Sequence, residues 1–493
     1  MILALDRGTT SSRTLVVDRD GHVVASAQQT LGQTYPQPGW VEQDAAAIWR
    51  SQLETAREAL RRAGLDPAGV AAVGIANQRE TTVVWERASG APVAPAIVWQ
   101  DRRTADACAA LGAAGHEALV RERTGLLLDP YFTATKLGWI LDHAPGGRAR
   151  AARGELAAGT VDSWLVWHLT GGRLHVTDAT NASRTLLYDL RAGDWDDELL
   201  ALFGLPRELL PRVVDTCRVV GETDPALFGR PLPIAALCGD QQAALFGQGC
   251  VAPGQAKVTY GTGCFLLAHT GDRPVASSRG LLTTVALQRD RARTFALEGS
   301  AFVGGAAVRW LGDALGVVAT AAEASELAAQ VGSSGEGVTF VPALAGLGAP
   351  HWDPAARGAF FGLSLGTTRA HLARAVLEGV AFEVADLAGA AAADAGRELD
   401  ELRADGGASV SDPLLQLQAD LLGIPVVRAA QSEATALGAA ALAGLAVGLW
   451  RDAGEIAAFA RPGRRFVPDP AVERGPLFER WRRAVTAVRR LGS

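Results

Sequence analysis

A two-domain α/β protein is predicted from three features of the 493-residue sequence. Apolar strand patterns alternate with amphipathic helix patterns, the arrangement that builds sheets flanked by helices. A strand, a tight Gly–Thr loop and a returning strand occur near the start and again about half the chain later. The length also exceeds what a single hydrophobic core holds.

Taken in order, residues 2–5 are an apolar run that stops at Asp6 and is followed by Gly8-Thr9-Thr10. Residues 13–18 and 22–28 read as two antiparallel strands, because Asp20-Gly21 between them is a strong hairpin turn. The second copy reads as a strand over 256–260, the loop Gly261-Thr262-Gly263, and a returning strand over 264–269. Helix periodicity covers 45–63 and 370–393, Pro- and Gly-rich breaks fall near 142–154 and near 332–337, and the boundary between the halves falls close to 247–253. We therefore expect a first domain of residues 1–248 and a second of 249–493, with one loop from each facing a shared cleft.

Composition narrows the function. Apolar residues make up 48% and charged residues 20%, and the net charge is −6. That is the composition of a folded protein with no general attraction to nucleic acid or an anionic membrane. Five scattered cysteines without a C-x-x-C argue against a disulfide framework or a thiolate zinc site and fit a reducing compartment, so a cytoplasmic location is expected. The eight histidines show no metal-ligand spacing. The start of the chain has no basic segment before a long apolar run, so no signal peptide is expected. The uncharged stretch 434–450 falls short of the roughly 20 residues a spanning helix needs and reads as a closely packed buried helix. All but two of the 47 cationic residues are arginine, which reflects composition bias and gives Lys136 and Lys257 no special meaning by rarity alone.

Several segments carry chemistry. In Asp6-Arg7-Gly8-Thr9-Thr10-Ser11-Ser12-Arg13, glycine lets the backbone approach an anion, while turn N–H groups and hydroxyls donate to it. Asp6, a carboxylate at a strand end, suits Mg²⁺. A plain polar hairpin turn is the alternative. Tyr260-Gly261-Thr262-Gly263 repeats the loop, and two such loops could clamp one polyphosphate, although neither is a P-loop. Asp240 follows the apolar run 233–237 and Gly239, at the carboxyl end of a strand where α/β sites gather. It reads equally as a general base or as the cap of the following helix. Asp405-Gly406-Gly407 ends another strand pattern and reads as a nucleoside site or a turn.

Together these segments resemble the glycerol kinases of the FGGY carbohydrate-kinase family, in the actin-like ATPase superfamily. The resemblance runs from Ile2 to about Trp450 and is carried by the segments 77–82, 177–184, 239–248, 259–265, 346–358 and 435–448, with Arg79, Glu80 and Trp99 setting it apart from other members of the family. It implies two actin-like (ribonuclease H-like) domains, each a mixed five-stranded sheet flanked by helices, with a cleft between. It also implies ATP-dependent phosphorylation of glycerol to sn-glycerol 3-phosphate, the first step of glycerol catabolism, in a homodimer or homotetramer. Thr9, Thr10, Ser11, Arg13 and Thr262 would then meet the phosphates, and Gly305, Arg309, Gly407 and Ser411 the rest of ATP. Arg79, Glu80, Tyr131, Asp240 and Gln241 would hydrogen-bond glycerol, with Trp99 and Phe265 against its carbons. Asp6 and Asp240 would hold Mg²⁺, and Asp240 would be the base.

The sequence departs from that pattern in places. Arg7 stands where glutamine is frequent, with little effect expected. Arg309 stands for Gln and Ser411 for Asn, which leaves the adenosine contacts open. The stretch 227–233 lacks the loop through which some bacterial members bind fructose 1,6-bisphosphate, so that control is expected to be absent or weak. An actin-like scaffold or chaperone ATPase would share the two loops but has no use for a convergent Arg79, Glu80, Trp99 and Tyr131.

Overall fold

The computed structural model describes residues 1–493 except 333–334, 432, 458–459, 461 and 493. In the first half, β1 (Ile2–Arg7), β2 (Ser11–Val17), β3 (Val23–Thr30), β4 (Ala72–Asn77), β5 (Cys217–Glu222) and β6 (Pro233–Gly239) form one sheet in the order β5-β6-β4-β1-β2-β3. In the second half, β7 (Gln255–Tyr260), β8 (Cys264–Gly271), β9 (Leu282–Arg289), β10 (Ala292–Ala301), β11 (Glu401–Asp405), β12 (Val426–Ala429) and β13 (Pro462–Phe466) form another, in the order β9-β10-β8-β7-β11-β12-β13.

The two sheets share a core. β1 pairs antiparallel with β2 and parallel with β4, and β7 pairs antiparallel with β8 and parallel with β11. Each core is completed by β3 and β6 in the first half and by β10 and β12 in the second. The duplication predicted from two short loops is thus a duplication of topology. The strand count differs from the five expected, with six strands in one sheet and seven in the other. The additions β5, β9 and β13 are all edge strands, which pair backbone groups that an open edge leaves bare.

Residues 2–5 are buried on both faces because β1 lies between covered layers, so the strand reads as a continuous apolar run. α1 (Ala45–Arg62) starts at Asp44, whose carboxylate accepts the Ala46 N–H at 2.8 Å. It turns Ile48, Gln52, Thr55 and Ala59 inward and packs on β2 and β3. The chain between β4 and β5 builds a further lobe with its own core, which includes Phe132, Leu137 and Leu187. That lobe overhangs the carboxyl ends of β4 and β6.

One helix crosses between the halves. The uncharged stretch forms α7 (Ala434–Ala446), preceded along the chain by α2 (Thr133–His143), α3 (Asp240–Gly247), α4 (Gly305–Asp313), α5 (Arg369–Ala395) and α6 (Asp412–Leu422). Although α7 belongs to the second half of the sequence, Ala436, Ala439 and Leu442 are buried with Ile2, Ala4, Ala76 and Ala243 of the first. Backbones touch at this crossing: a Cβ on Gly438 would lie 1.9 Å from the Ala243 carbonyl oxygen. Among the described residues no helix is long and apolar enough to cross a membrane.

Candidate active site

The first Gly–Thr loop turns between β1 and β2. Arg7, expected to matter little, is fully buried and braces this loop. Its guanidinium donates to the carbonyl oxygens of Gly8 and Ser11, the latter at 2.9 Å, while Gln43 Nε2 donates to Thr9 O at 2.6 Å. Asp6 faces the cleft, where burial and then the charge of Asp240 push its carboxyl up to about 7. Arg13 is ion-paired with Glu433, and its Nη2 donates to Gln28 at 2.8 Å.

The second loop turns between β7 and β8. Gly305 at the start of α4 donates its N–H to Gly261 O at 2.8 Å, and Arg309 Nη2 donates to Thr262 Oγ1 at 3.2 Å. Gly406 has φ 89°, and a Cβ there would lie 2.6 Å from Tyr260 O, so only glycine lets the β11 turn approach this loop. Ser411 caps α6 and shares a hydroxyl–hydroxyl bond of 2.8 Å with Ser325. Thr10, Thr262, Arg309 and Gly407 are exposed, so this side of the cleft opens to solvent.

The other side is closed and polar. Asp240 is the first residue of α3, and Gly239, not Asp240, occupies the capping position. One carboxylate oxygen accepts only its neighbour's N–H, from Gln241 at 2.7 Å, and lies 3.3 Å from Arg79 Nε. The helix-cap reading therefore fails. Burial raises the Asp240 carboxyl to about 6, against the opposing pull of Arg79, although 24% of the side chain still meets solvent through the cleft mouth.

Arg79 is held from the opposite half of the chain. Its two terminal nitrogens donate to Glu298 of β10 at 2.6 and 2.7 Å, and Nη1 also donates to Gln242 at 3.2 Å. Arg184 completes the set, donating to Glu80 at 2.6 Å and to Glu298 at 3.1 Å. All four side chains are at most 2% exposed. Glu80 takes the left-handed backbone conformation at φ 59°, which costs a residue of its kind ~1–2 kcal/mol. Burial alone would raise the Glu298 carboxyl, but the guanidiniums of Arg184 and Arg79 overcome it and draw it down to about 2.

An aromatic wall faces this network. The Trp99 ring lies 5.6 Å from Tyr131 and 6.1 Å from Phe265, both edge-on, and Phe265 comes from the second half. The Trp99 indole N–H donates to Thr9 Oγ1 at 3.0 Å, tying the wall to the first loop. Arg79, Glu80, Trp99, Tyr131, Asp240, Gln241, Phe265 and Thr9 are thus joined, with Arg184, in one chain of contacts. It offers an apolar face, hydrogen-bonding groups of both kinds and a secluded carboxylate beside two phosphate-type loops.

Comparison with known proteins agrees with this geometry. The sequence models of the N-terminal and C-terminal domains of the FGGY family of carbohydrate kinases match residues 1–247 and 256–447. The chain belongs to the FGGY family of carbohydrate kinases. It is 58% identical to a glycerol kinase of Aromatoleum aromaticum over 489 residues, 99% of this chain and 98% of that one. Among solved structures, Plasmodium falciparum glycerol kinase with ADP superposes with a TM-score of 0.93 at 32% identity, covering 99% of this chain and 98% of that one. Gluconate kinase from Lactobacillus acidophilus, at 24% identity and a TM-score of 0.89 over 99% of this chain and 98% of that one, shares the fold.

In this FGGY kinase the motif Thr177-Asp-Ala-Thr-Asn-Ala-Ser-Arg184 is a brace. Asp178 caps the short helix Ala179–Ala182, Thr180 Oγ1 accepts the Gly239 N–H at 2.8 Å, and Asn181 exchanges bonds of 2.9 and 3.1 Å with Asn77. It fixes the backbone immediately before Asp240 and delivers Arg184 to the pocket. Sequence reasoning singled out no role for Arg184, Gln242 or Glu298. Glu298 leaves a faint trace as one carboxylate inside the apolar run of β10.

Proposed function

We propose that this kinase transfers the γ-phosphoryl group of ATP to glycerol, giving sn-glycerol 3-phosphate and ADP. The relatives supply the reaction class, and one observation carries the choice of acceptor. A pocket with the apolar wall Trp99–Tyr131–Phe265 opposite Arg79, Glu80, Asp240 and Gln241 fits a three-carbon polyol with a hydroxyl on each carbon. Such a site rejects an analogue lacking one hydroxyl, because a buried partner is left unsatisfied.

Asp240 accepts the proton of the terminal hydroxyl as its oxygen bonds to phosphorus, and the bond to the ADP oxygen breaks. The proton then leaves Asp240 for solvent. Arg79 and Glu80 fix the other hydroxyls, with Gln241 and Tyr131. Thr9, Thr10, Ser11 and Thr262 donate to the phosphates, with Arg13 near them once a phosphate competes with Glu433 for its guanidinium. Gly305, Arg309, Gly407 and Ser411 form the nucleotide side. Asp6 and Asp240 fit a divalent cation, since both carboxyls are raised by burial and that of Asp6 is raised further by the charge of Asp240. Mg²⁺ held there would neutralise phosphate charge.

The test is ADP release by purified protein with glycerol, xylulose, gluconate, erythritol or no acceptor. Release should depend on glycerol and be far slower with the others. Equal rates with and without glycerol would refute the proposal.

A further inference from the structure

Every cation in this chain is arginine except two, and the structure places both exceptions at the acceptor pocket. Lys136 and Lys257 are 1% and 0% exposed. Lys136, on α2, donates to the carbonyl oxygens of Tyr131 at 2.7 Å and Glu80 at 3.2 Å, and Thr133 Oγ1 adds a third bond to Glu80 O at 3.3 Å. These are the backbones of two pocket residues, one of them in the left-handed conformation. Lys257, on β7, donates to Gln241 Oε1 of the first half and to Thr259 Oγ1 of its own strand at 2.9 Å. Each lysine therefore stands behind the pocket and holds its wall without lining it.

We propose that Lys136 and Lys257 are positioning residues for the acceptor site: Lys136 fixes the Glu80 and Tyr131 backbones, and Lys257 pins Gln241 of one half against Thr259 of the other. The geometry explains the residue type. A compact ammonium directs three donors at converging oxygens in a closed space, whereas a planar guanidinium is broader and needs a flat, forked partner. Composition bias accounts for arginine elsewhere and leaves lysine where shape requires it. The inference rests on the acceptor-site reading above.

Steady-state kinetics of Lys136→Met, Lys136→Arg, Lys257→Met and Lys257→Arg separate the possibilities, with the KM for glycerol and for ATP measured apart. Lys136→Met should raise the glycerol KM on the order of 10- to 100-fold and leave the ATP KM unchanged. Lys257→Met, which cuts a link between the halves, should lower kcat by on the order of tenfold or more. Neither arginine variant should restore the wild-type value. Thr133→Val, neutral and nearly isosteric, carries the test should Lys136→Met not fold, and should raise the glycerol KM by a smaller factor. Glycerol dependence of the wild type is established first, so failure of the acceptor reading shows there. Given that dependence, an unchanged glycerol KM or equal rises in both KM values for Lys136→Met, an unchanged kcat for Lys257→Met, or full activity in the arginine variants overturns the inference alone.

Discussion

Asp240→Asn is expected to lower kcat by roughly 10²- to 10⁴-fold while ATP still binds. Asparagine has nearly the same shape and keeps an oxygen for the Gln241 N–H, which now lies 2.7 Å from the carboxylate. It cannot accept a proton from an attacking hydroxyl. The loss should therefore fall chiefly on kcat, with calorimetry still detecting bound nucleotide. The same substitution should stabilise the free protein. Burial raises the Asp240 carboxyl from 3.8 to about 6, so at neutral pH the fold carries a charge it disfavours. With a quarter of the side chain in solvent, removing that charge is worth ~1–2 kcal/mol. A variant that is less active and melts higher marks a group kept for chemistry against stability. Retained turnover would remove Asp240 from the base role, and a lower melting point would mean that the carboxylate serves the fold instead.

How far the sequence goes is visible residue by residue. The two phosphate-type loops were legible because turn chemistry is local: glycine and threonine between two apolar runs, and Asp20-Gly21 at the hairpin. The repeated topology followed from them. Asp240 could be located but not interpreted, since a strand-ending aspartate before a helix is as good a cap as a base. Only the observation that Gly239 takes the cap position separates the two. The docking of α7 on the first sheet was not legible, because an alanine-rich helix without charges signals close burial but not against what. The rarity of the two lysines carries no meaning in the sequence, because only the fold brings Lys136 to Glu80 and Tyr131 and Lys257 to Gln241. Glu298 was missed for a structural reason: its partners Arg79 and Arg184 lie 219 and 114 residues away, so no local pattern announces it.

Glu298→Gln should be strongly destabilising although it is a conservative change. Glu298 bonds both buried guanidiniums, Arg79 at 2.6 Å and Arg184 at 3.1 Å, and removing one partner of a buried ionic set costs ~3–5 kcal/mol. Its ionisation gives a similar figure, since a carboxyl drawn from 4.5 to about 2 prefers the charged form in the fold by ~3 kcal/mol. The direction with pH follows. A carboxyl lowered on folding lends stability that is fully present above about 4.5 and is lost as pH falls through about 2. Wild-type protein should lose stability along that acid limb, and Glu298→Gln should start lower at neutral pH and lack the Glu298 part of the limb. Thermal unfolding from pH 7 down to about pH 2 measures both. Function should suffer in parallel, because Arg79 is aimed at the pocket by its two bonds to Glu298 and, once freed, has Asp240 at 3.3 Å as its nearest anion. A guanidinium that closes on Asp240 lowers the basicity of the carboxylate proposed as the base and withdraws a donor from the acceptor, so both kcat and glycerol affinity should fall. A variant as stable as wild type, with an unaltered pH profile, would show that Arg79 and Arg184 are held by Glu80 and Asp240 alone.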